Sequence, residues 1–94
     1  MNVGLCIVEF HLTAAHSLKE KRRVIRKLKE LLRGRFNVSV AEIDHQELWQ
    51  RATLGIVAIS EARGPLESCF THLRGLVESE IPGDLVSFHT EYLA

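Results

Sequence analysis

The sequence predicts an α+β domain of the ferredoxin-like kind, ordered β-α-β-β-α-β, and three observations carry the prediction. Four short segments are rich in β-branched or alternating apolar residues, two longer ones repeat apolar residues at three- and four-residue spacing, and turn residues separate them. With right-handed crossovers this order puts both helices on one face of a four-stranded antiparallel sheet and leaves the other face open.

The first strand is read over Asn2 to Leu12 (NVGLCIVEFHL), followed by the turn-like Thr13-Ala14-Ala15-His16. Ser17-Leu18-Lys19-Glu20 fits a capping box, with the Ser17 hydroxyl accepting an N–H three residues on and Glu20 reaching back to the Ser17 N–H. The first helix therefore starts there. Leu18, Val24, Ile25, Leu28, Leu31 and Leu32 form its apolar stripe, and Gly34 stands where a left-handed residue would end it.

Phe36 to Ile43 alternates large apolar with small or polar side chains, as a half-buried second strand does. A polar connection from Asp44 to Trp49 leads by a hairpin into a third strand, Arg51 to Ser60. Pro65 sits just inside the start of the second helix, where its missing N–H costs nothing. Leu66, Cys69, Phe70, Leu73, Leu76 and Val77 form its stripe, Pro82-Gly83 stops it, and Leu85 to Leu93 supplies the fourth strand.

Ninety-four residues suffice for one core and too few remain for a second, so residues 1–94 are read as one domain. A hydrophobic fraction of 46% with 26% charged residues excludes a disordered chain. No apolar run approaches the roughly 20 residues that span a bilayer, and Met1-Asn2-Val3-Gly4 lacks the basic start of a secretory signal, so no membrane association and a cytoplasmic location are expected. Cys6 and Cys69 lie among apolar residues without ligand-like spacing and read as small core residues.

The net charge of zero conceals a strong asymmetry. Between Ser17 and Arg35 nine basic residues face only Glu20 and Glu30, a local +7 balanced by −7 over the rest of the chain. On a helical projection centred on Leu28, Lys19, Arg22, Arg26, Lys29 and Arg33 fall about 100° to 180° away, in one stripe, with Arg23 continuing the solvent face. A stripe of that length can follow a phosphate backbone, because each neutralised phosphate releases condensed counterions. A lysine- and arginine-rich wet face is also common for plain helical reasons. What favours a function is position: Lys19, Lys21, Arg22 and Arg23 oppose the helix dipole in the first turns. Lys21 differs from the rest, since it projects about 20° from Leu28, inside the apolar stripe. Its stem is expected to snorkel past the sheet edge, the alternative being a carboxylate partner such as Glu42 or Asp44.

Catalytic and cofactor signals are absent from the sequence. The five histidines (His11, His16, His45, His72, His89) show no metal-ligand spacing, and Glu9, Glu42, Asp44 and Glu47 have no defined relation that would make an acid and a base of any two. No Gly-rich phosphate loop or nucleophile elbow occurs. No catalysis, metal or cofactor is expected. A base-stacking RNA surface on the open sheet face lacks aromatics, with only Phe10 available on the first strand. The first strand is apolar at both parities, so either Cys6, Val8, Phe10 and Leu12 or Val3, Leu5 and Ile7 must face away from the helices. Val3, Leu5 and Ile7, with Trp49 counted beside them, form a candidate partner interface that a second copy would cover in a homo-oligomer. Folding back to cap the core is the commoner fate of a residue like Trp49.

The blocks Ser17-Leu18-Lys19-Glu20-Lys21-Arg22, Phe36-Asn37-Val38-Ser39-Val40-Ala41-Glu42 and Leu48-Trp49-Gln50-Arg51-Ala52, in this order, make the chain resemble the YlxP-like family, a bacterial domain of unknown function also called DUF503. The likeness covers nearly the whole chain. It implies a ferredoxin-like fold in small cytoplasmic bacterial proteins, often encoded near translation-initiation and ribosome-maturation factors, and no known activity or catalytic residue. That neighbourhood agrees with RNA or a ribonucleoprotein as partner, engaged through Lys19, Arg22, Arg23, Arg26, Lys29 and Arg33; a protein-interaction or self-assembling module is the second expectation.

Overall fold

The computed structural model describes Met1–Ala94, and its elements follow the order β1 (Asn2–His11), α1 (Leu18–Arg35), β2 (Val38–Asp44), β3 (Arg51–Ser60), α2 (Arg63–Glu80) and β4 (Leu85–Tyr92). The strands lie in the order β2-β3-β1-β4, every neighbouring pair antiparallel. This is the ferredoxin-like arrangement, with α1 packed over β2 and α2 over β1 and β3. No helix is long and apolar enough to cross a membrane.

The parity of β1 resolves in favour of Cys6, Val8 and Phe10, all buried beneath the helices with Leu54 and Ile56 of β3. Ile25, Leu28 and Leu32 of α1 and Leu66, Phe70, Leu73 and Val77 of α2 close the same core from above. Phe10 is thus unavailable to the open face, which removes the one aromatic that strand could have offered to a base. Gly4 shows how tightly α2 sits on β1: a Cβ there would lie 2.5 Å from Phe70 Cε2 and 3.2 Å from Leu66 Cδ2. Any Cβ at that position would force the Phe70 ring to shift.

Several boundaries differ from expectation for identifiable reasons. Helix α1 runs through Gly34 to Arg35 and closes when the Phe36 N–H bonds the Leu32 carbonyl, so Gly34 is an ordinary helical residue and no left-handed cap is used. Strand β2 accordingly begins at Val38, not Phe36. The capping box forms on one side, Ser17 Oγ accepting from Glu20 N at 3.1 Å, while the Glu20 carboxylate reaches one residue further back, to the His16 N–H at 2.6 Å. Gly83 does adopt positive φ (79°), turning the chain from α2 into β4. Pro65 is the third residue of α2, within the first turn where N–H groups have no helical acceptor.

A bulge interrupts β2 where Glu42 pairs with Leu54 and Asp44 with Thr53, leaving Ile43 as the extra residue. Up to that point β2 alternates regularly, so Val38, Val40 and Glu42 point toward α1 while Ser39 and Ala41 point to the open face. The carboxylate of Glu42 is therefore delivered beneath a helix.

Candidate functional site

Three surfaces carry unusual chemistry: the exposed side of α1, the β2–β3 loop beside its first turns, and the open face of the sheet.

The β2–β3 loop is organised by Lys21. Contrary to the expected snorkelling, its side chain is 1% exposed and its ammonium is enclosed. The Nζ donates to the carbonyls of His45 at 2.5 Å and Leu48 at 2.7 Å, with that of Gln46 at 3.5 Å, and lies 2.8 Å from Glu42 Oε2. Lys21 aside, Glu42 Oε2 is closed off from solvent and has no hydrogen-bond donor. A lysine in the apolar stripe of a helix can be buried only if its charge and three donors are met, and here one carboxylate and the turned-in loop carbonyls meet them. His45 adopts φ 63°, in the left-handed region, which aims its carbonyl at the ammonium. Its ring Nδ1 lies 2.9 Å from the buried Thr53 Oγ1, and its backbone N–H is accepted by Asp44 Oδ1 at 2.8 Å.

That pinned loop presents two apolar side chains to solvent, Leu48 and Trp49. The Trp49 indole is 41% exposed and tilted 43° against His16 at 6.3 Å between ring centroids, so it neither caps the core nor joins Val3, Leu5 and Ile7. Leu12 N–H bonds the Gln50 carbonyl, which places Trp49 at the end of β1 opposite to Val3, about 30 Å along the strand. With Leu48, Gln50 and Arg51 it lines a shallow hollow of about 190 Å³.

Along α1, Lys19, Arg22, Arg23, Arg26 and Arg33 are exposed and Lys29 half-buried. Of the twelve basic residues, Lys21, Lys27, Arg63 and Arg74 have carboxylates within 4.0 Å; Lys19, Arg22, Arg23, Arg26, Lys29, Arg33 and Arg35 of α1 have none. The stripe flanks the edge strand β2, and Arg33 leaves it to donate to the Val40 carbonyl at 2.9 Å. An outward carbonyl of an edge strand invites pairing with another chain, and a guanidinium placed on it blocks that. Arg33 is thus partly spent on structure; Arg35, at the far end of α1, also has no partner, and the unencumbered cations of the stripe itself are Lys19, Arg22, Arg23, Arg26 and Lys29.

On the open face, Val3, Leu5 and Ile7 of β1 sit beside Ile59, Val57 and Gly55 of β3 respectively. Ile43 arches over Gly55, its Cγ2 3.1 Å from where a Cβ would stand, and with Leu5, Ile7, Ala41 and Val57 it lines an apolar depression of about 350 Å³. Ile59 is 56% exposed.

No three of the His, Cys, Asp and Glu side chains converge on a point, and no surface hollow is lined by Glu42, Asp44 or a histidine. The largest hollow, about 540 Å³ between the start of α1 and the α2–β4 turn, contains Glu20, Arg23, Glu80 and Asp84. Glu20 is engaged by the His16 N–H, and Asp84 accepts from Thr13 Oγ1 at 3.0 Å, so two of its carboxylates hold turns. Burial pushes the Cys6 thiol up to about 12, reinforced by the nearby Cys69, whose own thiol burial also raises. Both are protonated at neutral pH and unsuited to nucleophilic work.

Comparison with known proteins agrees with this reading of the fold. A de novo designed protein with a ferredoxin fold, LFR1 1, superimposes with a TM-score of 0.54 at 14% identity, covering 100% of this chain and 87% of the designed one. The uncharacterized protein YlxP of Bacillus subtilis (strain 168) is 35% identical over 77 residues, 82% of this chain and 84% of that protein. The model of the family described as protein of unknown function (DUF503) matches residues 3–90, and the chain belongs to that family.

Proposed function

We propose that this protein is a non-catalytic binding module for structured RNA, engaged through the phosphate backbone by Lys19, Arg22, Arg23, Arg26 and Lys29 of α1, with ribosomal RNA or a ribonucleoprotein as its natural partner. The observation that carries the reading is the set of α1 cations left without carboxylates in a chain with equal numbers of acidic and basic residues. Held on one rigid helix, Lys19 and Lys29 are about 15 Å apart, so the charges lie along a line and not in a diffuse cloud. Each phosphate they neutralise releases counterions, a gain that depends on salt and not on sequence. A filter-binding titration of a structured RNA at about 50 and 200 mM salt tests it. Binding that weakens steeply with salt and is lost on charge reversal of Arg22 and Arg26 is expected; no binding at low salt, or binding indifferent to the reversal, removes the proposal.

A second reading rests on the open sheet face. Ile43, Val57 and Ile59 leave large apolar surfaces in water there, and a second copy of the chain stacked face to face at the usual sheet spacing of about 10 Å would bury them. Sedimentation at micromolar concentration tests this: a dimer lost on Val57→Lys supports it, and a monomer removes it. A dimer built this way would leave both basic helices outward, so the two readings are compatible.

A further inference from the structure

We propose that the hollow formed by Leu48, Trp49, Gln50 and Arg51 receives one unpaired nucleobase, stacked on the Trp49 indole, so that the RNA engaged has a single-stranded loop or bulge at the N-terminal end of the α1 stripe. This deepens the RNA reading and rests on it. Large apolar rings in a loop normally fold inward, yet this one is held outward by a costly device. The charge of Lys21 is buried to fix the carbonyls of His45 and Leu48 on either side of the turn, and His45 takes a left-handed conformation to allow it. A loop so fixed loses little freedom when a ligand docks, which is what a stacking platform needs.

The chemistry around the ring suits a nucleotide. The indole leans on the tilted His16 ring and keeps 41% of its surface exposed to solvent. Leu48 adds an apolar wall, the Gln50 amide offers both donors and an acceptor for a base edge, and the Arg51 guanidinium has no carboxylate partner within 4.0 Å. Proximity to the stripe is set by the contact of Trp49 with His16, three residues before Lys19, while the Leu48 carbonyl on the buried Lys21 holds the loop against the start of the helix. A backbone following Lys29, Arg26, Arg22 and Lys19 past the start of α1 would run toward His16 and the ring packed on it. Stacking on an aromatic face combined with a basic track is the general way proteins hold unpaired nucleotides, and every base has such a face.

Trp49 is the only tryptophan, so its fluorescence reports this site alone. The experiment titrates the protein with a hairpin RNA carrying an unpaired loop and with a blunt duplex of equal charge, following tryptophan emission and filter retention, and repeats retention with Trp49→Leu and Trp49→Phe. The proposal expects emission quenched by the hairpin and little changed by the duplex. It also expects about a five-fold or greater loss of hairpin affinity in Trp49→Leu, with Trp49→Phe restoring most of it and duplex affinity unchanged. Hairpin binding without quenching, or with equal affinity in Trp49→Leu, overturns the stacking site while leaving the phosphate reading in place. Failure of both RNAs to bind at low salt overturns both together.

Discussion

Lys21 Nζ and Glu42 Oε2 lie 2.8 Å apart beneath α1, a cation from the apolar stripe of a helix meeting an anion from the helix-facing row of a strand. Each is the break in an otherwise apolar pattern, and each is the other's compensation. Removing one partner leaves the other charged, enclosed and unsatisfied, which costs far more than the pair contributes. Lys21→Met should destabilise the protein by about 3–5 kcal/mol in urea unfolding. Adding Glu42→Leu should restore part of that and not all, because the His45 and Leu48 carbonyls still lack their donor. A single variant within about 1 kcal/mol of wild type would contradict the assignment.

Gly4 and Phe70 define how closely α2 approaches the sheet. A methyl group at position 4 meets the packed Phe70 ring at 2.5 and 2.8 Å, so Gly4→Ala should cost about 1–3 kcal/mol through overpacking. Shortening the ring in Gly4→Ala/Phe70→Leu should recover stability relative to the sum of the two single changes. Simple additivity in a double-mutant cycle would argue against the contact.

Arg33 separates structure from binding within one stripe. Since its guanidinium serves the Val40 carbonyl, Arg33→Ala should lower stability by about 1 kcal/mol and weaken RNA retention less than Arg26→Ala does. The reverse order, with Arg33 the more important for RNA and neutral for stability, would contradict the division.

The Cys6 thiol makes stability fall in alkali. Its folded value of about 12 exceeds the ordinary 9.0, so between those values the unfolded chain has lost the proton that the folded chain keeps. Unfolding is then favoured increasingly as pH rises above 9, and the loss levels off only toward 12. Cys6→Ala lacks this contribution, so the wild type's advantage over it in denaturant midpoint should shrink between pH 8 and 10.5. Parallel curves would contradict the burial argument.

The elements were legible because period and punctuation agreed: alternation marked β2, three- and four-residue spacing marked both helices, and the element order then left one sheet topology. Gly34 misled because a glycine near a helix end also sits comfortably inside the last turn, and the chain entered β2 without needing a left-handed residue. The basic stripe was legible as a charge pattern, but which cations were free was not. Arg33's use of an edge carbonyl depends on where β2 lies in the sheet. The Lys21–Glu42 pair left a trace in sequence, since Val38, Val40 and Glu42 share a parity and Lys21 shares a stripe with Leu28, yet only the packing of α1 on β2 brings those two faces together. The sequence left Trp49 open between an exposed interface and a cap on the core, because the loop that holds it is shaped by a lysine 28 residues away.

The central claim is that five cations of α1 contact phosphates, and the most direct measure is the slope of log K against log salt for a structured RNA. If Lys19, Arg22, Arg23, Arg26 and Lys29 each neutralise one phosphate, the slope should be about −3.5 to −4.5, and Arg22→Gln/Arg26→Gln should make it shallower by about 1.4 to 1.8. A slope near zero, or one that the double substitution leaves unchanged, would contradict the account.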